Sequence, residues 1–197
     1  MRPHLDGMSA QHDLFGGAAP PGWSYRDDFI DRAEESGLLA TFAGWPLAPA
    51  AYKDYTARRE VLSFGGSFDY SANTLRPGKP VPPELFPLRE REAAWAGVTP
   101  AAFAHALVAR DPPGPPLGRH RDVPDFELVA GVSLGSVARM TFRRYPPAPR
   151  AETLHADLAP RSAYLMCGEA RWDWQHRVEP TESERWSVTF RTRRVHR

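Results

Sequence analysis

Residues 118–122 read Gly-Arg-His-Arg-Asp, and this stretch decides how the rest of the chain is interpreted. His120 and Asp122 stand two positions apart, and residues at i and i+2 of a β-strand point to the same face of the sheet. An imidazole and a carboxylate would then converge on one point, as two ligands of a divalent metal ion must. The competing interpretation is an ordinary surface histidine and aspartate on a loop.

A third metal ligand has to come from a distant part of the sequence, and two histidines compete for that role. His176 is the preferred candidate, whereas His155 is predicted to lie in a turn as a surface or substrate-side residue. Two histidines and one carboxylate on one side of a metal form the facial triad of non-heme iron(II) oxygenases, which leaves other coordination positions open. The sequence therefore predicts a catalytic metal centre built from His120, Asp122 and His176.

A second pattern lies at 185–191, where the sequence reads Arg-Trp-Ser-Val-Thr-Phe-Arg. In a strand, Arg185 and Arg191 share one face with Ser187 and Thr189, and the three apolar residues between them pack on the opposite side. Two guanidinium groups that point into a pocket suit a dicarboxylate, because arginine binds carboxylates bidentately. Surface salt bridges are the alternative role for both arginines.

The composition indicates one folded domain. The chain has 197 residues, 42% of them hydrophobic and 25% charged, and this length can bury a sizeable core. The formal net charge of +1 is no signature of nucleic-acid binding, so any basic surface must come from local clustering. Cys167 is the single cysteine, which excludes an internal disulfide and fits a cytoplasmic location. The sequence has no apolar run of 18 or more residues, so no membrane span is predicted. The protein is also expected to be a monomer.

The order of patterns along the chain predicts helices first and strands later. Residues 1–20 are polar and are interpreted as a flexible arm, and residues 21–197 as one domain. Helices are predicted at 27–40, with Asp27 or Asp28 as N-cap, at 84–96, and after Pro100. Extended segments are predicted at 58–70, 127–134, 138–144, 162–166, 175–178 and 185–191. Such a series of short strands is typical of a closed or sandwiched β-domain.

Several of these segments together resemble one known family. They are His120-Arg121-Asp122, 131–135 (Gly-Val-Ser-Leu-Gly), 161–166 (Arg-Ser-Ala-Tyr-Leu-Met), 171–177 (Arg-Trp-Asp-Trp-Gln-His-Arg) and 185–191. In this combination the chain resembles the AlkB-like 2-oxoglutarate- and Fe(II)-dependent dioxygenases over about residues 22–194. The resemblance implies an α+β fold in which a double-stranded β-helix, or jelly-roll, carries N-terminal helices packed on one side.

The resemblance also implies an activity. Its cofactors would be Fe(II) and 2-oxoglutarate, with molecular oxygen as a further reactant, and Arg185 and Arg191 would bind the carboxylates of 2-oxoglutarate. The implied reaction is oxidative dealkylation of an alkylated nucleobase in DNA or RNA, which must leave the base stack to reach the iron. The segment from Arg58 to Tyr70 would form a lid over this substrate. Within it, Phe68 suits either core packing or the pocket, and Tyr70 is expected to line the pocket.

The sequence departs from the family at two positions ahead of the His-x-Asp pair. Ala109 and Asp111 stand where the family has an asparagine and a tyrosine that contact 2-oxoglutarate, and an ionised Asp111 is expected to repel a dicarboxylate. Either cosubstrate binding is weak, or other residues such as Tyr164 or Arg119 compensate. Two alternative functions stay open: a related oxygenase that hydroxylates a protein or small molecule, and a catalytically impaired binding module.

Overall fold

A computed structural model describes residues 19–52, 55–69, 74–114 and 117–195. The predicted arm at 1–20 therefore lies almost wholly outside the described residues. The elements in chain order are β1 Trp23–Arg26, α1 Arg32–Ala43, β2 Ala48–Tyr52, β3 Tyr55–Phe64, β4 Ser67–Asp69, β5 Thr74–Arg76, α2 Phe86–Ala96, β6 Phe103–Asp111, β7 Leu117–His120, β8 Phe126–Leu134, β9 Ala138–Arg144, β10 Thr153–Leu158, β11 Ala163–Met166, α3 Gly168–Trp172, β12 Trp174–Val178 and β13 Arg185–Arg193. Short 3-10 turns precede α2 and β6, at Pro83–Leu85 and Pro100–Ala102.

The described strands form two main antiparallel sheets and a small hairpin. The major sheet has the order β1-β11-β8-β13-β6-β3-β2, the minor sheet the order β10-β9-β12-β7, and β4 pairs with β5. Every pairing within these sheets is antiparallel. With the helices on one side, this is the predicted α+β jelly-roll, and the prediction is confirmed.

The two faces of the major sheet bury different sets of side chains, because successive residues of a strand alternate between faces. Trp186, Val188 and Phe190 of β13 belong to a core that the sheet shares with Phe42 of α1 and Leu88 of α2. The intervening residues of β13 point the other way, into the space between the sheets. The predicted division of this strand into an apolar and a polar face is therefore confirmed.

A second core fills one part of the space between the two sheets. It joins Tyr164 and Met166 of the major sheet to Met140, Phe142 and Trp174 of the minor sheet. The remaining interior is polar, because it buries four residues of β13: Arg185, Ser187, Thr189 and Arg191. Such a row of buried polar groups destabilises a fold unless each group is paired, so it marks the interior as a candidate site.

Two helix predictions need correction. Helix α1 begins later than predicted, because Asp31 rather than Asp27 or Asp28 is the N-cap and forms a capping box with Glu34. The helix predicted after Pro100 is wrong: only one 3-10 turn follows, and β6 then begins at Phe103. The helix-start signal at Pro100 does not produce a helix, because the residues that follow form β6. This strand gains hydrogen bonds to β3 along one edge and to β13 along the other.

Candidate metal centre

Cross-strand register brings the two predicted histidine ligands together. His120 ends β7 and stands directly opposite His176 of β12, with a register irregularity just beyond this pair. The two imidazole rings lie 4.4 Å apart between centroids. Since directly opposed residues of an antiparallel pair share one face, both rings point to the same spot in the interior.

Asp122 completes the cluster from a loop rather than from the strand. The prediction placed His120 and Asp122 on one strand face, but β7 ends at His120, and Asp122 follows in irregular chain. Nevertheless the ligand atoms of His120, Asp122 and His176 all lie within 4.8 Å of one another. The Nε2 atom of His176 is 3.8 Å from Oδ2 of Asp122. These distances allow one divalent ion to contact all three side chains.

The interior holds these groups in the protonation states that a metal requires, which are neutral imidazole and ionised carboxylate. Burial, with the neighbouring His120, lowers the pKa of His176 to about 3. Burial likewise lowers the pKa of His120. Burial alone would raise the pKa of Asp122, but Arg191 and the two histidines outweigh it and hold that pKa well below its usual range.

The hydrogen bonds around the cluster leave ligand atoms free for a cation. The Nδ1 atom of His120 lies 2.8 Å from the carbonyl oxygen of Gly118, which can only accept, so Nε2 is the nitrogen left with a lone pair. The Oδ2 atom of Asp122 is buried without a hydrogen-bond partner among the described residues. A buried carboxylate oxygen without a donor is expensive, and a bound metal would satisfy it. The donor set therefore fits iron(II).

Two arginines fix the position of Asp122. The Nε atom of Arg191 donates to Oδ1 of Asp122 at 2.7 Å, while its Nη1 donates to Thr189 at 3.0 Å. Arg171 holds the following loop by donating to the carbonyl oxygens of Val123 at 2.6 Å and Phe126 at 2.8 Å. The carboxylate is thus oriented by groups from the major sheet and from α3, as the outer partners of metal ligands commonly are.

Arg185, the second predicted cosubstrate residue, is buried and paired within the protein. Its Nη1 donates to Oδ2 of Asp111 at 3.0 Å, and its Nε donates to Ser133 at 3.1 Å. Asp111 is also within ion-pair distance of Arg59, with 3.3 Å between Oδ1 and Nε. Asp111 therefore faces the interior, as the repulsion argument assumed, but its charge is balanced there by two guanidinium groups. Ala109 is fully buried, and its methyl group offers no hydrogen bond.

Tyr164 lies on the same interior face and depends on a glycine. It stands opposite Gly131 of β8, which in turn stands opposite Thr189 of β13. A Cβ atom at Gly131 would lie 2.6 Å or less from several atoms of the Tyr164 ring. The ring also stacks on Trp23, with centroids 4.9 Å apart. Only glycine at position 131 leaves room for the Tyr164 ring to lie over β8 at this point.

Gly131→Ala is expected to destabilise the protein by about 1–3 kcal/mol, because the methyl group forces Tyr164 out of its packed position. Denaturant unfolding monitored by aromatic fluorescence measures this loss. Gly118→Ala is the matched control, since a Cβ atom there has nothing within 4 Å. Equal unfolding midpoints for Gly131→Ala and Gly118→Ala would contradict the packing argument.

The other predicted site residues lie outside the metal cluster or outside the described part of the chain. His155 is not in a turn but in β10, where it pairs with Thr141 and lies outside the metal cluster. Arg119 donates to Thr141 at 3.4 Å, on the face of β7 opposite to that of His120, so it cannot compensate within the pocket. Arg58 of β3 is exposed, as a lid residue would be. Tyr70 and the side chain of Phe68 lie outside the described residues.

Two interior residues, His105 and Arg59, were not predicted from the sequence to belong to the site. His105 of β6 lies opposite Arg191, with 3.4 Å between its Nδ1 and Nη1 of the arginine, and burial together with Arg191 lowers its pKa to about 3. Arg59 was assigned no role of its own, although it reaches Asp111. The alternation of side chains along β6 and β3 could have indicated both residues. Once the strand pairing is known, His105 and Arg59 lie on the same face of the sheet as Ala109, Asp111 and Arg185.

The fold and the cluster define a jelly-roll protein with a candidate iron(II) centre between its two sheets. A family model described as the 2OG-Fe(II) oxygenase superfamily matches residues 54–196. The chain belongs to that superfamily. The relatives described next carry AlkB-homologue names.

Two curated relatives and one solved structure are similar to this chain, and the solved structure bears on the fold alone. The chain is 28% identical to mouse (Mus musculus) tRNA (carboxymethyluridine(34)-5-O)-methyltransferase ALKBH8 over 83% of its length, but over only 25% of that protein. It is 29% identical to the alkylated DNA repair protein ALKBH8 homolog of Arabidopsis thaliana, covering 80% of this chain and 51% of the relative. The solved structure of OsALKBH1 superimposes with a TM-score of 0.69 at 15% identity, covering 89% of this chain and 98% of the other. The chain thus spans a quarter to a half of these curated relatives.

No helix among the described residues is long and apolar enough to cross a membrane.

Proposed function

We propose that this protein is an iron(II)- and 2-oxoglutarate-dependent dioxygenase that dealkylates nucleobases. The observation that carries the proposal is the cluster of His120, Asp122 and His176, whose ligand atoms lie within 4.8 Å of one another. Arg191 contacts Asp122 of the cluster, and Arg185 is buried on the same face at the other end of β13. A metal triad next to interior guanidinium groups suits an ion and a dicarboxylate together.

The residues of the chain have separate roles in this proposal. His120, Asp122 and His176 would hold the metal, and Arg191 keeps the Asp122 carboxylate turned so that Oδ2 stays free. Arg185 lies at the far end of β13 and would meet the cosubstrate. The chemistry supplied by bound iron(II), 2-oxoglutarate and dioxygen is oxidation of 2-oxoglutarate to succinate and carbon dioxide, coupled to hydroxylation of a substrate C–H bond. On an N-methylated base, the resulting hydroxymethyl group leaves as formaldehyde.

The names of two relatives support a nucleic-acid substrate. The mouse relative is named as a tRNA methyltransferase, and the Arabidopsis relative as an alkylated DNA repair protein. Chain coverage of the mouse protein is 25%, so the named methyl transfer is not carried over, and the proposal concerns only the oxygenase chemistry of the shared domain.

A cluster of arginines on the outer face of the minor sheet also supports a polyanionic partner. Arg119 and Arg177 both donate to Thr141, and Arg143 bonds Gln175. Among the described residues, Glu179 is the one carboxylate within ion-pair distance of these three arginines, at 3.3 Å from Arg177. The local charge is therefore basic although the net charge of the chain is only +1, and such clustering suits contact with phosphates.

A succinate assay with a panel of methylated DNA and RNA oligonucleotides tests the function. We expect succinate formation with iron(II) and 2-oxoglutarate, stimulated by at least one N-methylated oligonucleotide and accompanied by formaldehyde. Succinate without any oligonucleotide product would support the related oxygenase of a protein or small molecule. Binding of metal and 2-oxoglutarate without succinate would support the impaired binding module.

A further inference from the structure

An aspartate stands between two arginines on the interior face of the major sheet. Asp111 ends β6 and is buried, with one carboxylate oxygen 3.0 Å from Nη1 of Arg185 and the other 3.3 Å from Nε of Arg59. Arg59 comes from β3, the neighbour of β6 on the side away from β13. The side chains of Arg59 and Arg185 are 14% and 3% exposed, so both guanidinium groups act largely out of water.

The combined charge of Arg59, Asp111 and Arg185 determines whether a ligand carboxylate can bind beside them. An Arg185 that is paired only with Asp111 has no net charge left for a second carboxylate. Arg59 changes this balance, because two guanidinium groups and one carboxylate leave one net positive charge. That is the charge a lone Arg185 would offer if position 111 were uncharged. Arg59 therefore offsets the aspartate.

The orientation of Arg59 places this charge toward the interior. Arg59 is two residues before Val61, which stands opposite Ala109, so its side chain shares the interior face with Asp111 and Arg185. Its Nε atom is buried and, although near Asp111, is not aligned for a hydrogen bond with any group of the described residues. A buried guanidinium N–H without an acceptor has unused capacity for an anion. Neither Arg119, on the outer face, nor the methyl group of Ala109 can supply this.

We propose that Arg59 is a cosubstrate-specificity residue that recognises, together with Arg185, the distal carboxylate of 2-oxoglutarate. Asp111 holds the two guanidinium groups at one point and sets their combined charge to match one carboxylate. This inference rests on the proposed function, since it assigns a role within the same pocket. It explains how the chain can bind a dicarboxylate with an acidic residue facing the site.

Calorimetric titration of the full chain, loaded anaerobically with Fe(II), tests the proposal by binding rather than turnover. Two ligands are compared: 2-oxoglutarate, and 2-oxopentanoate, which has a methyl group in place of the distal carboxylate. Arg59→Ala is expected to weaken 2-oxoglutarate about ten- to a hundred-fold, because a hydrogen bond and a charge on the carboxylate are lost. Its affinity for 2-oxopentanoate is expected to stay within a factor of about two.

The double variant completes a mutant cycle. With Arg59→Ala and Asp111→Ala combined, Arg185 recovers its free charge, and we expect affinity for 2-oxoglutarate to return to within about five-fold of the unaltered protein. Arg110→Ala is the matched control: it lies beside Asp111 on β6 but is exposed and bonds Glu184 and Glu60 on the other face, so no change is expected.

The outcomes separate this inference from the proposed function. If the unaltered, iron-loaded protein fails to bind 2-oxoglutarate, the proposed function and the role of Arg59 are both overturned. If it binds and Arg59→Ala binds equally well, the role of Arg59 alone is overturned. A parallel loss for 2-oxoglutarate and 2-oxopentanoate in Arg59→Ala, or no recovery in the double variant, would show a structural role and also overturn it.

Discussion

His120→Ala is expected to abolish iron(II) binding and all turnover that depends on it. The substitution leaves Asp122 and His176 as ligands, and two side chains cannot hold the ion on one face as three do. Loss of an outer partner alone commonly weakens metal binding by about ten- to a hundred-fold, so loss of a ligand should exceed that range. Anaerobic titration with Fe(II) measures the affinity, and succinate formation measures the turnover.

His155→Ala is the matched control for this experiment. His155 competed for the role of third ligand, but it lies in β10 outside the cluster, so its removal should leave iron affinity unchanged. Circular dichroism of both variants should match that of the unaltered protein. If His120→Ala binds iron normally, or if His155→Ala loses it, the assignment of the metal centre is wrong.

Glu92 is expected to make the protein less stable as the pH rises toward neutrality. Glu92 lies in α2 with 0% exposure, and neither carboxylate oxygen has a hydrogen-bond partner among the described residues. Burial raises its pKa from 4.5 to about 8, against a smaller opposing effect of Arg26. The folded protein therefore keeps a proton that the unfolded chain releases above its own pKa of 4.5.

The sign of the effect follows from this difference. Between pH 4.5 and about 8 the folded state binds more protons than the unfolded state, so the free energy of unfolding falls as the pH rises. From pH 4.5 to neutrality the loss amounts to roughly 3 kcal/mol. Glu92→Gln cannot ionise and should remove this part of the pH dependence, so its stability relative to the unaltered protein should increase with pH.

Urea unfolding at a series of pH values measures the difference. Glu90→Gln is the matched control, because Glu90 lies on the same helix but is exposed, and it should follow the profile of the unaltered protein. Parallel profiles for Glu92→Gln and the unaltered protein would show that Glu92 is not held in its protonated form.

The residues of the candidate metal cluster were easier to predict from the sequence than the residues that surround it. His120 and Arg191 belong to short regular strands, where a two-residue period reveals which side chains share a face. Asp122 was assigned to the site for a partly wrong reason, since it lies beyond the end of β7 and is positioned by Arg191 and the loop that Arg171 holds. The spacing indicated Asp122 as a candidate ligand, but only the fold shows how its carboxylate is held.

The residues that were missed depend on pairings between distant parts of the chain. Arg59 reaches Asp111 because β3 is the neighbour of β6, and no local pattern reveals which strands become neighbours. Glu92 lies in the charged sequence Arg-Glu-Arg-Glu, which is typical of a solvated helix face. It is one helical turn from the buried Leu88, and the register of that turn, rather than the composition, determines its burial.

The position of β13 within the major sheet has a consequence for how ligands reach the interior. This strand is hydrogen-bonded to β6 along one edge and to β8 along the other, so it should be among the last segments to open in local unfolding. Fluctuations that separate its neighbours would also expose the apolar face packed on the helices. If the protein binds iron and cosubstrate as proposed, we expect them to enter and leave through the ends of the jelly-roll rather than by opening of the sheet at β13.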